Sequence, residues 1–316
     1  MSTLLEVNGV GLTDERGFSL RNIRFSQARG QHIVIAGETG SGKSTLLKII
    51  AGLLQPQTGS VVFEGELVKG PRENLVPGHS RIAYLPQYFE LPKFLRVEQV
   101  LEYASKLTSA EADKIFRLCK IRHLLNRKTD ELSGGERQRI ALCRLLIGKP
   151  ALLLLDEPYT NLDMIVKGTL KEVIQSISQQ LGITTLLVSH DPEDTLPWAD
   201  QILILKGGKL VQQGSPKQIY FEPKNEYVAG LFGRYTKLDS KLHKALGGKG
   251  EAIIRPEQLA LRKGRFQEGV QAVITSQKFA GHGYELTVST QNRNLACVSA
   301  DPALQVGITV TIALRP

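Results

Sequence analysis

The sequence is short of the features that would carry a chain across a membrane, out of a cell or onto a metal. Its 316 residues include three cysteines, Cys119, Cys143 and Cys297. They are scattered without metal-ligand spacing, which argues against a zinc or iron–sulfur framework; free thiols in a reducing compartment are expected. No apolar run approaches the ~20 residues of a transmembrane helix. The opening MSTLLEVNGV lacks the basic start and apolar core of a signal peptide, and no heptad run marks a coiled coil. The formal net charge is +9, yet aromatic and basic residues do not interleave and the excess is spread out. That pattern speaks against nucleic acid; a basic surface near anionic lipid headgroups fits it as well. What remains is a chain with 41% hydrophobic residues, ordinary for a globular protein and long enough for two domains.

The first informative segment is HIVIAG (His32–Gly37), a short β-branched run that reads as a buried parallel strand. It leads into GETGSGKST, comprising Gly37, Glu38, Thr39, Gly40, Ser41, Gly42, Lys43, Ser44 and Thr45. Gly37, Gly42, Lys43 and Ser44 match the P-loop spacing G-x-x-x-x-G-K-[ST]. LLKIIAGLL continues as an amphipathic helix. Glycines let consecutive N–H groups turn onto phosphate oxygens, and the helix N-terminus adds partial positive charge. Lys43 is expected at the β- and γ-phosphates and Ser44 on Mg²⁺.

ALLLLDEP supplies a second strand, with Asp156 and Glu157 at its C-terminal end, where open α/β sheets bind ligands. Asp156 suits Mg²⁺ and Glu157 suits a general base that polarises water. A few residues earlier, LSGGERQRI places Ser133, Gly134 and Gly135 at the start of a helix running to about Leu146. That is a second anion site; it also reads as an N-cap with Glu136 closing the capping box, and the two readings coexist.

P-loop, LSGGE and LLLLDE together resemble the ATP-binding cassette (ABC) family of ATPases, over roughly residues 1 to 235. The resemblance implies roles for three further residues. Gln87 in YLPQYFEL corresponds to a glutamine that contacts Mg²⁺ and water. Asp163 in TNLD corresponds to a loop that crosses to a partner subunit. His190 in LLVSHDPEDT corresponds to a histidine that touches the γ-phosphate. It also implies that LSGGE of one copy closes over ATP held by the P-loop of another, in a head-to-tail homodimer. One position departs: an aromatic some two dozen residues before the P-loop usually stacks on adenine, but the count lands on Asp14. Phe18 is the nearest aromatic. Stacking on adenine and packing in the edge sheet are both open for it.

The pattern along the chain divides it further. Antiparallel strands are expected around the P-loop. A helical subdomain is expected over about 91–148, including FLRVEQVLEYASKL and SAEADKIFRLCKI, whose apolar residues recur every three or four positions. Strand–helix alternation follows, as in a parallel sheet. PKQIYFEP and NEYVAGLFG close the core near residue 235. Residues 236–250 are basic and Gly-rich and read as a linker. From 251 to 316 the period becomes two, giving short strands as in a small β-barrel. IIRPEQL (Ile253–Leu259) resembles the start of the TOBE domain, an OB-like β module of importer ATPases. The expected fold is therefore an α/β P-loop NTPase core of ABC type with a helical subdomain, then a small all-β domain.

The resemblance implies an ATPase subunit of an ABC importer, using ATP and Mg²⁺ and peripheral on the cytoplasmic face of the inner membrane. Its partners would be membrane permease subunits, a second copy of itself and, indirectly, a periplasmic or surface substrate-binding protein; nucleic acid is not expected. The short tail leans the cargo towards ferric iron or polyamine. Sulfate, molybdate and sugar importers are alternatives, and an exporter is a further one.

Overall fold

Alternating apolar residues make two long antiparallel strands at the start of the chain, β1 (Thr3–Thr13) and β2 (Ser19–Ala28). The structure, a computed structural model, describes residues 2–13, 17–102, 107–264, 269–290 and 293–315. Asp14, where the aromatic count landed, lies outside the described residues.

Next come β3 (His32–Ala36), α1 (Lys43–Ile50), β4 (Thr58–Phe63), β5 (Glu66–Leu67) and β6 (Ile82–Leu85). Three helices follow: α2 (Val97–Glu102), α3 (Ser109–Leu118) and α4 (Gly134–Leu146). All three fall inside the expected helical subdomain. The run Phe94–Leu107 is helical over Val97–Glu102, and its residues 103–106 lie outside the described set. The chain then alternates through β7 (Leu152–Asp156), α5 (Met164–Leu181), β8 (Thr184–Val188), α6 (Pro192–Thr195), β9 (Gln201–Lys206) and β10 (Lys209–Gly214).

Six of these strands form one sheet in the order β10-β9-β3-β8-β7-β6, parallel except for β10. β7 and β8 are buried at every residue, as a parallel strand covered on both faces requires. One core lies on the helical side and holds Leu85, Val97, Ile140, Leu153 and Ile174. The other joins this sheet to the antiparallel sheet β2-β1-β4-β5 through Leu5, Ile23, Ile33, Leu47, Phe63 and Leu154. The connection β3 to α1 leaves the middle of the sheet. β3, β6, β7 and β8 run parallel, so the loops that follow them emerge on one edge.

The chain separates into two compact units, residues 1–216 and 217–316. The boundary falls after the first residue of α7 (Pro216–Phe221); the second unit continues with α8 (Glu226–Leu231), β11 (Thr236–Leu238), α9 (Ser240–Ala245) and β12 (Ala252–Ile254). Five further strands, β13 (Leu259–Lys263), β14 (Val270–Phe279), β15 (Tyr284–Ser289), β16 (Asn294–Ser299) and β17 (Thr309–Leu314), form an antiparallel sheet in the order β13-β17-β14-β15-β16. β16 packs near β13 and near the 3-10 turn Pro256–Gln258, so the sheet curls towards closure. Leu259, Ile274, Leu286, Val288, Leu295 and Ile312 fill it.

Residues 236–250, expected as a linker, are folded. β11 pairs with β12, and Asp239 caps α9. Leu238 and Leu246 are buried in the same core as the five-stranded sheet. Lysines and glycines dominate the composition there, but two leucines suffice to anchor the segment.

Candidate functional site

The loop after β3 is shaped by its glycines. Gly42 adopts φ +100°, and a Cβ there would come within 2.6 Å of Leu20 Cδ2 and Phe18 Cζ. Only glycine tolerates both constraints. α1 then starts with no side-chain cap, whereas Thr108, Ser133, Asp163, Asp191, Asn225 and Asp239 each cap their helices. Its first N–H groups therefore face the loop without a side-chain acceptor, which is the arrangement an anion completes.

Lys43 is 6% exposed. Its Nζ donates to the carbonyl oxygens of Gly37 (2.9 Å) and Glu38 (2.8 Å). Burial lowers its pKa, while the charges of Glu157, Asp156 and Glu38 push the other way. A buried ammonium with two carbonyl acceptors in the loop is placed where a phosphate would share its charge.

Asp156, at the end of β7, has both oxygens engaged. Ser44 Oγ donates to Oδ1 (3.0 Å) and Tyr84 Oη to Oδ2 (2.9 Å). Burial raises its pKa, only partly offset by those two hydrogen bonds, and the neighbouring Glu157 charge adds to the rise. A buried carboxylate next to a P-loop hydroxyl has the oxygen donors that Mg²⁺ prefers and a destabilised charge for it to relieve. The described residues therefore fit that ion.

Glu157 follows in the left-handed region at φ +48°, with its N–H bonded to Val188 O (3.1 Å). This turn aims the carboxylate at the neighbouring strand ends. Three groups converge on its Oε2: Gln87 Nε2 at 3.2 Å, Thr160 Oγ1 at 3.1 Å and His190 Nδ1 at 3.4 Å. Gln87 arrives from β6 and His190 from β8, so the parallel order β6-β7-β8 makes the cluster.

Ser133 caps α4 by accepting from Glu136 N–H (3.3 Å), and Glu136 Oε2 accepts from Ser133 N–H (2.8 Å). The capping box is real, and it orients the same N-terminus that was read as an anion site. A Cβ on Gly135 would overlap Val166 of α5, whereas nothing stands near one on Gly134. Gln138 of α4 donates to Pro158 O, next to Glu157. Asp163 caps α5, accepting from Ile165 and Val166 N–H.

The structure thus gathers Lys43, Ser44, Gln87, Asp156, Glu157 and His190 along one sheet edge. Ser133 and Asp163 stand at helix starts outside that cluster. Phe18 is half-buried and packs against the inter-sheet core, with its ring edge beside Gly42. Tyr84 and Thr160 were not singled out in the sequence. Their only signal is proximity: each lies three residues from a residue that was, Gln87 and Glu157 respectively.

Comparison with known proteins accords with this geometry. A family model described as ABC transporter matches residues 20–160, and one described as TOBE domain matches residues 252–316. The molybdate/tungstate import ATP-binding protein of Pyrococcus horikoshii is 34% identical, covering 85% of this chain and 81% of that protein. The spermidine/putrescine import ATP-binding protein of Mycoplasma mycoides is 30% identical, covering 100% and 96%. The Fe(3+) ions import ATP-binding protein of Serratia marcescens is 32% identical, covering 100% and 95%. Among solved structures, cbiO1 from Clostridium perfringens, part of an ABC transporter complex, aligns with a TM-score of 0.62 and 26% identity, over 71% of this chain and 92% of that one.

Proposed function

The chain belongs to the family of ATP-binding subunits of ABC importers, and on that footing we propose how its residues convert ATP hydrolysis into uptake. The subunit is an ATPase that acts as a dimer and drives separate membrane permease chains. No helix among the described residues is long and apolar enough to cross a membrane.

In the proposed site, the loop Gly37–Thr45 and the open start of α1 hold the phosphates, and Lys43 neutralises the terminal ones. Ser44, Asp156 and Gln87 would hold Mg²⁺, which would supply positive charge to offset that of the phosphates. Glu157 takes the proton from the attacking water as general base. Gln87, Thr160 and His190 fix its carboxylate, and His190 also meets the γ-phosphate. Ser133, Gly134 and Gly135 close over the nucleotide of the second copy, and Asp163 crosses towards that copy. Base stacking by Phe18 rests only on its place beside Gly42. Closure of the dimer then shifts the permease between two packings through the Gln87 region.

The observation that carries this reading is the convergence of Gln87, Thr160 and His190 on Glu157 Oε2, beside an Asp156 already bonded to Ser44. Glu157→Gln keeps the shape and removes the base. Hydrolysis is expected to fall by roughly 10²–10⁴-fold, ATP affinity to hold, and the ATP-bound dimer to persist in light scattering. A normal hydrolysis rate in that variant would remove the general-base role.

For cargo, we propose ferric iron or a polyamine, delivered by a substrate-binding protein outside the membrane to a transporter whose ATPase lies on the cytoplasmic side. Relatives named for polyamine match 73% or 100% of the chain and those named for Fe(3+) 82% or 100%, against 84–86% for molybdate/tungstate and glucose, so the preference rests on the short β tail and not on coverage. Uptake of labelled Fe(3+) and of spermidine by cells with and without the subunit tests this. Loss of molybdate, sulfate or sugar uptake instead would reassign the cargo.

A further inference from the structure

A partly buried ion-pair network joins α5 to the segment that carries His190, and nothing in the proposed chemistry uses it. Lys167 lies one turn into α5, its N–H bonded to Asp163 O at 2.8 Å. Its Nζ donates to Asp191 Oδ2 at 2.5 Å and lies 2.8 Å from Asp194 Oδ1. The Lys167 side chain is 15% exposed and that of Asp194 3%. Lys171, on the next turn, lies 2.7 Å from the same Asp194 oxygen, donates to Glu193 O and sits over the Tyr159 ring. Two lysines of one helix thus balance Asp191, beside His190, and Asp194 of α6.

Asp191 is the residue next to His190. Its other oxygen accepts from Glu193 N–H (2.9 Å) to start α6, and its own N–H donates to Ser189 Oγ (3.1 Å). The backbone on both sides of His190 is therefore tied down, and Lys167 makes the link to α5. A cavity of 240 Å³ lies between, lined by Glu157, Asn161, His190, Lys167, Asp191 and Asp194 among others. His190 itself is 61% exposed and touches Glu157 only at 3.4 Å. Packing does not hold such a ring, so its aim depends on the backbone beneath it.

We propose that Lys167 is a positioning residue for hydrolysis: bridging Asp191 and Asp194, it sets His190 against Glu157 and couples that histidine to the Asp163 end of α5. The consequence is directional. A shift of the Asp163 segment, on the face expected to meet the second copy, is carried through one helical turn and one ammonium to the histidine. This rests on the reading of His190 as a γ-phosphate contact.

The test is a double-mutant cycle on the full chain, reading kcat and KM for ATP separately. Lys167→Met is expected to lower kcat on the order of 10- to 100-fold, the cost of about 1 Å of misplacement, with KM changed less than about threefold. Lys167→Arg restores most of kcat. In a His190→Ala background, Lys167→Met adds little, because its effect runs through the missing ring. Asp191→Asn, which still caps α6, repeats the kcat loss if Lys167→Met does not fold. If His190→Ala hydrolyses ATP normally, the underlying reading of the site fails. If His190→Ala is slow but Lys167→Met or Asp191→Asn is normal in kcat, raises KM alone, or lowers kcat equally in both backgrounds, the positioning role fails by itself.

Discussion

At the residue scale, the site keeps groups in states that cost stability. Asp156 is the plainest case. It is 3% exposed, and burial raises its pKa above the ordinary aspartate value. A carboxyl whose folded pKa is raised favours the folded state while protonated, below its unfolded pKa, and that contribution is lost as pH rises through the folded pKa. At neutral pH the ionised Asp156 therefore works against the fold. Asp156→Asn, free of nucleotide and Mg²⁺, is expected to melt higher than the native protein at pH 7. The gap should close as pH falls below the ordinary aspartate pKa, where both side chains are neutral. The same variant is expected to lose hydrolysis under the proposed Mg²⁺-holding role of Asp156, an exchange of stability for function that active sites often show. A lower melting temperature at pH 7 would mean that Ser44 and Tyr84 stabilise the charge more than burial penalises it. Asp156 and Glu157 were legible in the sequence because an apolar strand ending in two acids is a local pattern. Tyr84, Thr160 and Lys167 were not, because their meaning comes from strands and helices that meet only in the folded chain.

At the element scale, α4 shows how one short motif carries two constraints. Ser133 and Glu136 cap the helix, a contribution of about 1 kcal/mol, and that was readable from S-x-x-E spacing. The reason for Gly135 was not, since it lies on another helix: a Cβ there overlaps Val166 of α5. Gly134 meets no such neighbour. Gly135→Ala should therefore destabilise the protein by about 1–3 kcal/mol, as overpacking does, and Val166→Ala should recover part of the loss. Gly134→Ala should fold normally and bind ATP, and if the proposed dimer forms it should lose hydrolysis, because the methyl group would then stand between the helix start and the nucleotide of the second copy. Thermal melts of the three variants, alongside hydrolysis rates, check both halves. Equal melting temperatures for Gly134→Ala and Gly135→Ala would remove the packing role of Gly135. Gly134 is accordingly the cleaner probe of the signature in the dimer.

At the scale of the whole molecule, the change from a helical period to a period of two located the β tail but not where its folding unit begins. The structure begins it at residue 217, and Arg255 gives the physical reason. Its side chain is 1% exposed. Its Nε donates to Tyr220 O (3.0 Å), and its Nη1 to the carbonyls of Ala229 (2.9 Å), Gly233 (3.2 Å) and Arg234 (3.2 Å), while the guanidinium lies 4.2 Å from the Tyr220 ring centroid. Every one of these acceptors lies in the stretch that the resemblance to the ABC family had assigned to the end of the ATPase core. The carbonyls of Ala229, Gly233 and Arg234 come from the C-terminal end of α8 and the turn beyond it, where the helix dipole favours a cation. A β module cut at residue 251 keeps Arg255 but loses all of these acceptors, together with Leu238 and Leu246 from its core. The cut therefore opens to water the apolar surface that residues 217–250 cover, a serious loss for a module with so small a core. The fragment 217–316 is therefore expected to melt in one cooperative transition, and the fragment 251–316 to show no cooperative transition at 25 °C and above. Arg255→Met in the longer fragment should lower its melting temperature. Circular dichroism melts of the two fragments decide the matter: a shorter fragment as stable as the longer would return the boundary to residue 251 and reduce Arg255 to a surface contact of the isolated module.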